Sequence, residues 1–169
     1  DLLYGGESVV SIPKSVVKFK KGDIVYTSNV DRVQYTMREL TRAALRDVGK
    51  FLRKYFQEEY YRIFKRHSGE GPKAISWVVV ASKSTKYPRV EIGIKHSNPS
   101  TKVRGFYTYF HEKGTKKERP YQILLKAARA NIPTIVEIES KYLSALESEA
   151  EALRLIESED EYTGGGGDD

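Results

Sequence analysis

The chain of 169 residues has no cysteine, three histidines and a single tryptophan. The absence of cysteine removes a disulfide scaffold, a thiolate-ligated zinc site, an iron–sulfur cluster and a thiol nucleophile together. It does not assign a compartment, because a lack of disulfides suits a reducing cytosol without requiring one. No apolar run approaches the ~20 residues that span a bilayer, and no signal-peptide pattern opens the chain. The first residue is Asp1 rather than Met, consistent with a missing upstream piece. Enzyme motifs are equally scarce. There is no Walker-type phosphate loop, and the glycines never reach the spacing of a dinucleotide fingerprint. His67, His96 and His111 each fall at the end of an expected element, not at metal-ligand spacing. Glu58 and Glu59 are adjacent on an expected helix and therefore diverge, and Glu91 and Glu112 do not define the acidic cluster a metal-dependent nuclease requires. No cofactor is expected.

What the chain does contain is apolar side chain and charge. Apolar residues are 39% and charged residues 31%, with six Phe and twelve Tyr, which suits one domain or one domain with arms. The net charge of +6 conceals a strong asymmetry. Residues 1–136 carry 27 Lys and Arg against 12 Asp and Glu, whereas residues 137–169 carry 2 against 11. A basic body with an acidic C-terminal arm points to polyanions on one part and basic surfaces on the other. The plainer alternative is solvated charge with the tail folded back on its own body.

Three regions follow from the pattern: an extended arm over 1–30, an α+β domain over 31–157, and an acidic, Gly-rich flexible tail over 158–169 that lacks the apolar surface to order itself. Within the arm, Val16, Phe19 and Ile24–Tyr26 predict a short hairpin turning at Lys21-Gly22-Asp23. Residues 31–66 predict a long helix. Its buried stripe is Val33, Met37, Leu40, Ala44, Val48, Phe51, Leu52, Tyr55, Phe56, Ile63 and Phe64, at spacings of three and four. Arg32, Arg38, Arg42, Arg46, Lys50, Arg53 and Lys54 lie opposite, and His67-Ser68-Gly69 is the expected stop. Residues 75–82 and 89–95 read as two strands of a hairpin, the second alternating Val90, Ile92 and Ile94 with polar positions or glycine. Residues 106–111 (FYTYFH) read as a third strand after a polar loop, 121–130 as a short helix with Pro120 at its first turn, and 133–157 as one further helix. The expected fold is α+β: a long N-terminal helix packed on a small antiparallel sheet of about three to four strands, followed by C-terminal helices.

Cationic side chains on several prongs suit phosphates without reading sequence. They are Lys83, Lys86 and Arg89 on the hairpin and Lys102 and Arg104 on the loop, beside the basic helix face. Tyr107 and Tyr109 could stack bases, although aromatics on a strand beside a helix more often enter a core.

One stretch is more distinctive: Tyr107-Thr108-Tyr109-Phe110-His111-Glu112-Lys113-Gly114-Thr115, then Arg119-Pro120-Tyr121. It resembles the signature of the tail-completion, or head–tail connector (neck), proteins of long-tailed bacteriophages. In that family a strand reading roughly Tyr-x-x-Phe/Tyr-x-Glu-x-Gly-Thr is followed by Arg-Pro-Phe and a helix. The element order also resembles it, over about residues 16–146. Here Tyr121 stands where Phe is commoner, and Lys113 where an aromatic residue often follows the Glu. The matching positions are Tyr107, Phe110, Glu112, Gly114, Thr115, Arg119 and Pro120. Physically, Gly114 permits a sharp turn, Thr115 can cap locally, and Glu112 should meet a basic or amide partner. The resemblance implies a non-enzymatic structural protein of the virion, made in the host cytoplasm. It would complete the tail and join it to the head as a homo-oligomeric ring around the DNA channel. Its neighbours would be head-connector and tail-terminator or tail-tube proteins, with non-specific proximity to DNA and no membrane. A tail-terminator ring and a small basic nucleic-acid-binding module are the rival expectations.

Overall fold

A computed structural model describes residues 13–14, 16–64, 70–82, 85–95 and 105–163. Two units emerge, Asp1–Glu39 and Leu40–Asp169. The expected helix stop at His67, the loop carrying Lys102 and Arg104, and the glycines at 164–167 lie outside the described residues.

In the first unit, β1 (Val16–Lys21) pairs antiparallel with β2 (Ile24–Ser28), Lys21 opposite Ile24 and Val16 opposite Ser28. The two-residue turn at Gly22-Asp23 falls where the sequence places it. Gly22 takes φ +59°, a left-handed conformation that primed hairpin turns require. Asn29 then leads into α1 (Val30–Ile63), its carbonyl accepting the Val33 N–H at 2.9 Å, and Asp31 complements the positive end of the helix dipole.

The second unit holds the rest of α1, then α2 (Glu70–Lys73), β3 (Ile75–Val80), β4 (Arg89–Ile94), α3 (Gly105–Lys113), α4 (Ile123–Ala130), α5 (Ile132–Ser144) and α6 (Glu149–Thr163). Its α1 stripe feeds two cores. Leu40, Ala43 and Ala44 pack with Tyr142, Ala145, Ala152, Leu155 and Ile156. Four alanines in that set let the helix backbones approach closely, and the Tyr142 hydroxyl donates to the Asp47 carboxylate at 2.5 Å. One further along, Phe56 and Tyr60 pack with Ile75 of β3 and Ile123 of α4, with Ile92 and Ile94 of β4 against them. Fully buried Phe56 and Ile75 each contribute about 1.5–3 kcal/mol by removal from water. The alternation of Val90, Ile92 and Ile94 is as expected: all three are half-buried between exposed neighbours.

The α+β architecture therefore holds, and among the described residues four strands form two separate two-stranded antiparallel sheets. The expected third strand is the helix α3. Its aromatic run has high strand propensity, yet tertiary packing prevails. Gly105, Thr108 and His111, at three-residue spacing, turn inward, and Thr108 is fully buried while Tyr107 and Tyr109 are exposed. Residues 133–157 are not one helix. Extended backbone at Ser148 breaks them after a 3₁₀ turn at Ala145–Glu147. Ser148 Oγ lies 3.5 Å from the Glu151 N–H, and the Ser-x-x-Glu spacing is that of a capping box. α6 then runs to Thr163, beyond the tail boundary expected at 158. α4 starts at Ile123, so Pro120 precedes it, whereas Pro133 does lie in the first turn of α5. Val33, Met37 and Ile63, placed on the buried stripe by spacing, are exposed, as are Val136, Leu143 and Leu146. Spacing assigns a face but not what covers it.

Gly49 sits mid-helix, where glycine costs about 1 kcal/mol relative to alanine. The reason is Trp77 of β3: a Cβ at Gly49 would lie 2.7 Å from its indole ring. Gly49→Ala should therefore destabilise by about 1–3 kcal/mol through overpacking, not stabilise as a helix-propensity argument would have it. Denaturant unfolding followed by Trp77 fluorescence checks this, and a raised midpoint would refute it.

Candidate functional site: the junction of α3 and α4

Of the signature residues, Tyr107 and Phe110 lie within α3, while Glu112, Gly114, Thr115, Arg119 and Pro120 form the junction between α3 and α4, where the side chains of Glu112 and Thr115 are bonded to backbone N–H groups. Gly114 ends α3 with φ +80°, its N–H donating to the Phe110 carbonyl at 2.7 Å. A Cβ there would meet Pro120 at 2.9 Å, so both the turn and the close approach need glycine. Thr115 Oγ1 accepts the N–H groups of Lys117 and Glu118 at 3.2 and 3.1 Å, and the Thr115 N–H donates to the Glu118 carbonyl at 2.9 Å. A five-residue excursion is thereby closed by its own threonine.

Glu112 supplies what α4 lacks. The residue before α4, Gln122, is left-handed at φ 53° and makes no side-chain cap. The Glu112 carboxylate instead accepts the Leu124 N–H at 2.9 Å, placing negative charge at the helix N-terminus. The expected amide partner of Glu112 is thus a backbone N–H. A second tie is the Tyr121 N–H donating to the His111 carbonyl at 2.7 Å.

Beneath the junction lies an aromatic cluster that sequence reasoning did not assemble. Tyr60 and Phe64, one helical turn apart on and just beyond the end of α1, have ring centroids 4.6 Å apart. The His111 imidazole stacks on Phe64 at 4.2 Å and 21°, and Tyr121 meets Phe64 edge-on at 5.1 Å. The Tyr60 hydroxyl and His111 Nδ1 share a 2.8 Å hydrogen bond. Thr108 Oγ1 donates to the Gly71 carbonyl at 3.0 Å, joining α3 to α2. Burial lowers the His111 pKa, opposed by the negative charges of Glu118 and Glu112. Burial likewise raises that of Tyr60, opposed by the Thr108 hydroxyl. Both rings are therefore held in their neutral forms. The usable signal was the i, i+4 pair Tyr60 and Phe64 with the solitary histidine of the signature.

What faces outward is cationic. Lys113, Lys116, Lys117 and Arg119 are exposed, four cations in seven residues, with Tyr107 and Tyr109 exposed on α3. Of the cations singled out elsewhere, Lys86 is exposed with its Nζ 5.3 Å from the Tyr87 ring centroid, and Arg89 pairs with Glu91 at 2.7 Å. Lys83, Lys102 and Arg104 lie outside the described residues. On the basic face of α1, the Arg42 Nε donates to the Ala81 carbonyl at 2.9 Å, which commits it to the fold, whereas Arg53 and Lys54 are exposed. Among the described residues, no group of three or more His, Asp or Glu is gathered so as to hold a metal ion, and no helix is long and apolar enough to cross a membrane.

Two outcomes test this geometry. Glu112→Ala should cost about 0.5–2 kcal/mol, the usual loss for a removed helix cap, measured by denaturant midpoint. The folded-state pKa of His111 lies below the unfolded value near 6.5. Its contribution to stability is therefore complete above that value and is lost as pH falls through the folded pKa. His111→Gln should accordingly lose less stability than the parent chain between pH 7 and 5; equal losses would mean that the imidazole is not the group responsible. No protein-family model, curated protein or solved structure matches the chain.

Proposed function

We propose that the protein is a non-enzymatic structural component of a phage neck, completing the tail and joining it to the head as a ring around the DNA channel. The observation that carries this reading is the use of the signature residues. Glu112, Gly114, Thr115 and Pro120 are all engaged in fixing one junction, and what that junction offers to solvent is charge and tyrosine, not a converging catalytic group. A protein whose most distinctive residues rigidify a surface loop is suited to docking, with neighbouring head-connector and tail-terminator or tail-tube proteins as its partners. The segment before Glu112 is helical where the resemblance implies a strand, so the element order departs from it there and support comes from the Glu-x-Gly-Thr and Arg-Pro positions. The cationic surfaces suit passing DNA through phosphate contacts that read no sequence.

A nucleic-acid-binding module is favoured by one specific observation, the exposure of Tyr107 and Tyr109 close in sequence to Lys113, Lys116 and Lys117. The two readings separate experimentally. Electron microscopy of particles from the parental phage with this gene interrupted should show separate heads and tails that join when purified protein is added. Abnormally long tails would indicate a tail terminator. Intact infectious particles would exclude the neck, and tight, steeply salt-dependent DNA binding by the isolated protein would then select the module.

A further inference from the structure

The cations of this chain differ in what they do for the fold. On α1, Arg32, Arg38, Arg42, Arg46 and Lys50 are half-buried. Arg42 donates to the Ala81 carbonyl, Lys50 lies 3.8 Å from Asp47, and exposed Lys54 has exposed Glu58 one helical turn on. Much of the basic face of α1 is therefore built into the protein. Residues 113–129 are different. Lys113, Lys116, Lys117, Arg119, Lys126 and Arg129 are all exposed, and Glu118 is the single acid in that stretch. Among the described residues no ion pair engages any of these six, in contrast to Lys50, Arg62, Arg89 and Arg154.

Their backbone is also held in place. Thr115 Oγ1 accepts the Lys117 and Glu118 N–H groups, and the Glu112 carboxylate on the Leu124 N–H fastens the turn to the start of α4. Lys126 and Arg129, three residues apart, are neighbours on the surface of α4. Arg129 lies about 8 Å along the helix axis from Leu124, so the charge of the turn continues along the helix. Dense positive charge of this kind is matched best by a polyanion of high linear charge density. A nucleic-acid duplex carries one negative charge per ~1.7 Å of its axis, whereas an extended acidic peptide offers at most one per ~3.3 Å. Base stacking has no comparable support. Tyr107 and Tyr109 are exposed on α3 but lie about 200° apart around it, so they do not form one platform for bases.

We infer that the α3–α4 turn and the exposed side of α4 form a surface for the phosphate backbone of duplex nucleic acid. The inference rests on the neck reading only for taking that duplex as the DNA of the channel. Phosphate contacts read no sequence and release counterions, so affinity should fall steeply with salt. The probe is a fluorescent duplex of about 30 base pairs and mixed sequence, titrated with the full chain by anisotropy. Between about 50 and 200 mM salt, six phosphate contacts give a loss of about a thousandfold. The Lys116→Gln, Lys117→Gln, Arg119→Gln protein, shown to fold by circular dichroism and Trp77 fluorescence, should bind more weakly and lose only about fortyfold over that range. Arg53→Gln with Lys54→Gln on α1 should keep the parent affinity and salt slope. Equal effects of the two variants, or no effect of the first, would overturn the inference. Tighter binding of the matching single strand would overturn the duplex assignment. Polyglutamate that displaces the probe as well as unlabelled duplex of equal total charge would also overturn it, making the partner an acidic protein. A joining defect in the gene-interrupted phage alongside unchanged binding by the turn variant would discard this surface and keep the neck role. Turn-dependent duplex binding with intact infectious particles would keep the surface and discard the neck.

Discussion

Tyr60 is the side chain on which the β-sheet end of the second unit depends. Its ring packs between Phe56 and Phe64 of its own helical face, at centroid distances of 5.6 and 4.6 Å, and its hydroxyl reaches His111 of α3. That one bond joins the end of α1 to the segment that caps α4, so the signature junction inherits its position from α1. Burial sets the direction of both pKa shifts. In apolar surroundings a charged phenolate or imidazolium is penalised, whereas two neutral rings sharing a hydrogen bond satisfy their polar atoms without that cost. Buried polar groups that are satisfied in this way specify one arrangement more strictly than apolar contact alone.

Charge in this protein is divided between fold and surface. Arg42 is bound to a backbone carbonyl, and Arg89, Arg62 and Arg154 are each beside a glutamate on the same element. Exposed pairs of that kind contribute little to stability, on the order of 0–1 kcal/mol. The cations at Lys113, Lys116, Lys117 and Arg119 are of another sort, set on a turn that Thr115 closes and Glu112 anchors. A rigid turn loses less conformational freedom on docking than a flexible one, so internal bonding of this kind would suit the docking role proposed for it.

Much of the organisation was legible in the sequence because it is local. The three-and-four spacing through Leu40, Ala44, Leu52 and Phe56 gave α1 its buried face, Gly22-Asp23 gave the first hairpin, and alternation of Val90, Ile92 and Ile94 gave β4. The Ser148-x-x-Glu151 cap was equally readable, although a continuous apolar pattern across it suggested a single helix.

The sequence by itself determined these elements, the turn at Gly114 and the separation of basic from acidic segments, since each depends on backbone preference or on composition. Only the tertiary structure decided the rest. Whether FYTYFH became strand or helix turned on burying Thr108 against the Gly71 carbonyl, a bond between residues 37 positions apart that no local propensity encodes. Which of the apolar faces on α5 is covered, and whether Val33 is buried as Leu40 is, depends on what lies over them. His111 acquired its aromatic bed from α1, 51 residues away along the chain from Tyr60. Periodicity fixes which side chains share a face; only packing between distant segments fixes what that face meets.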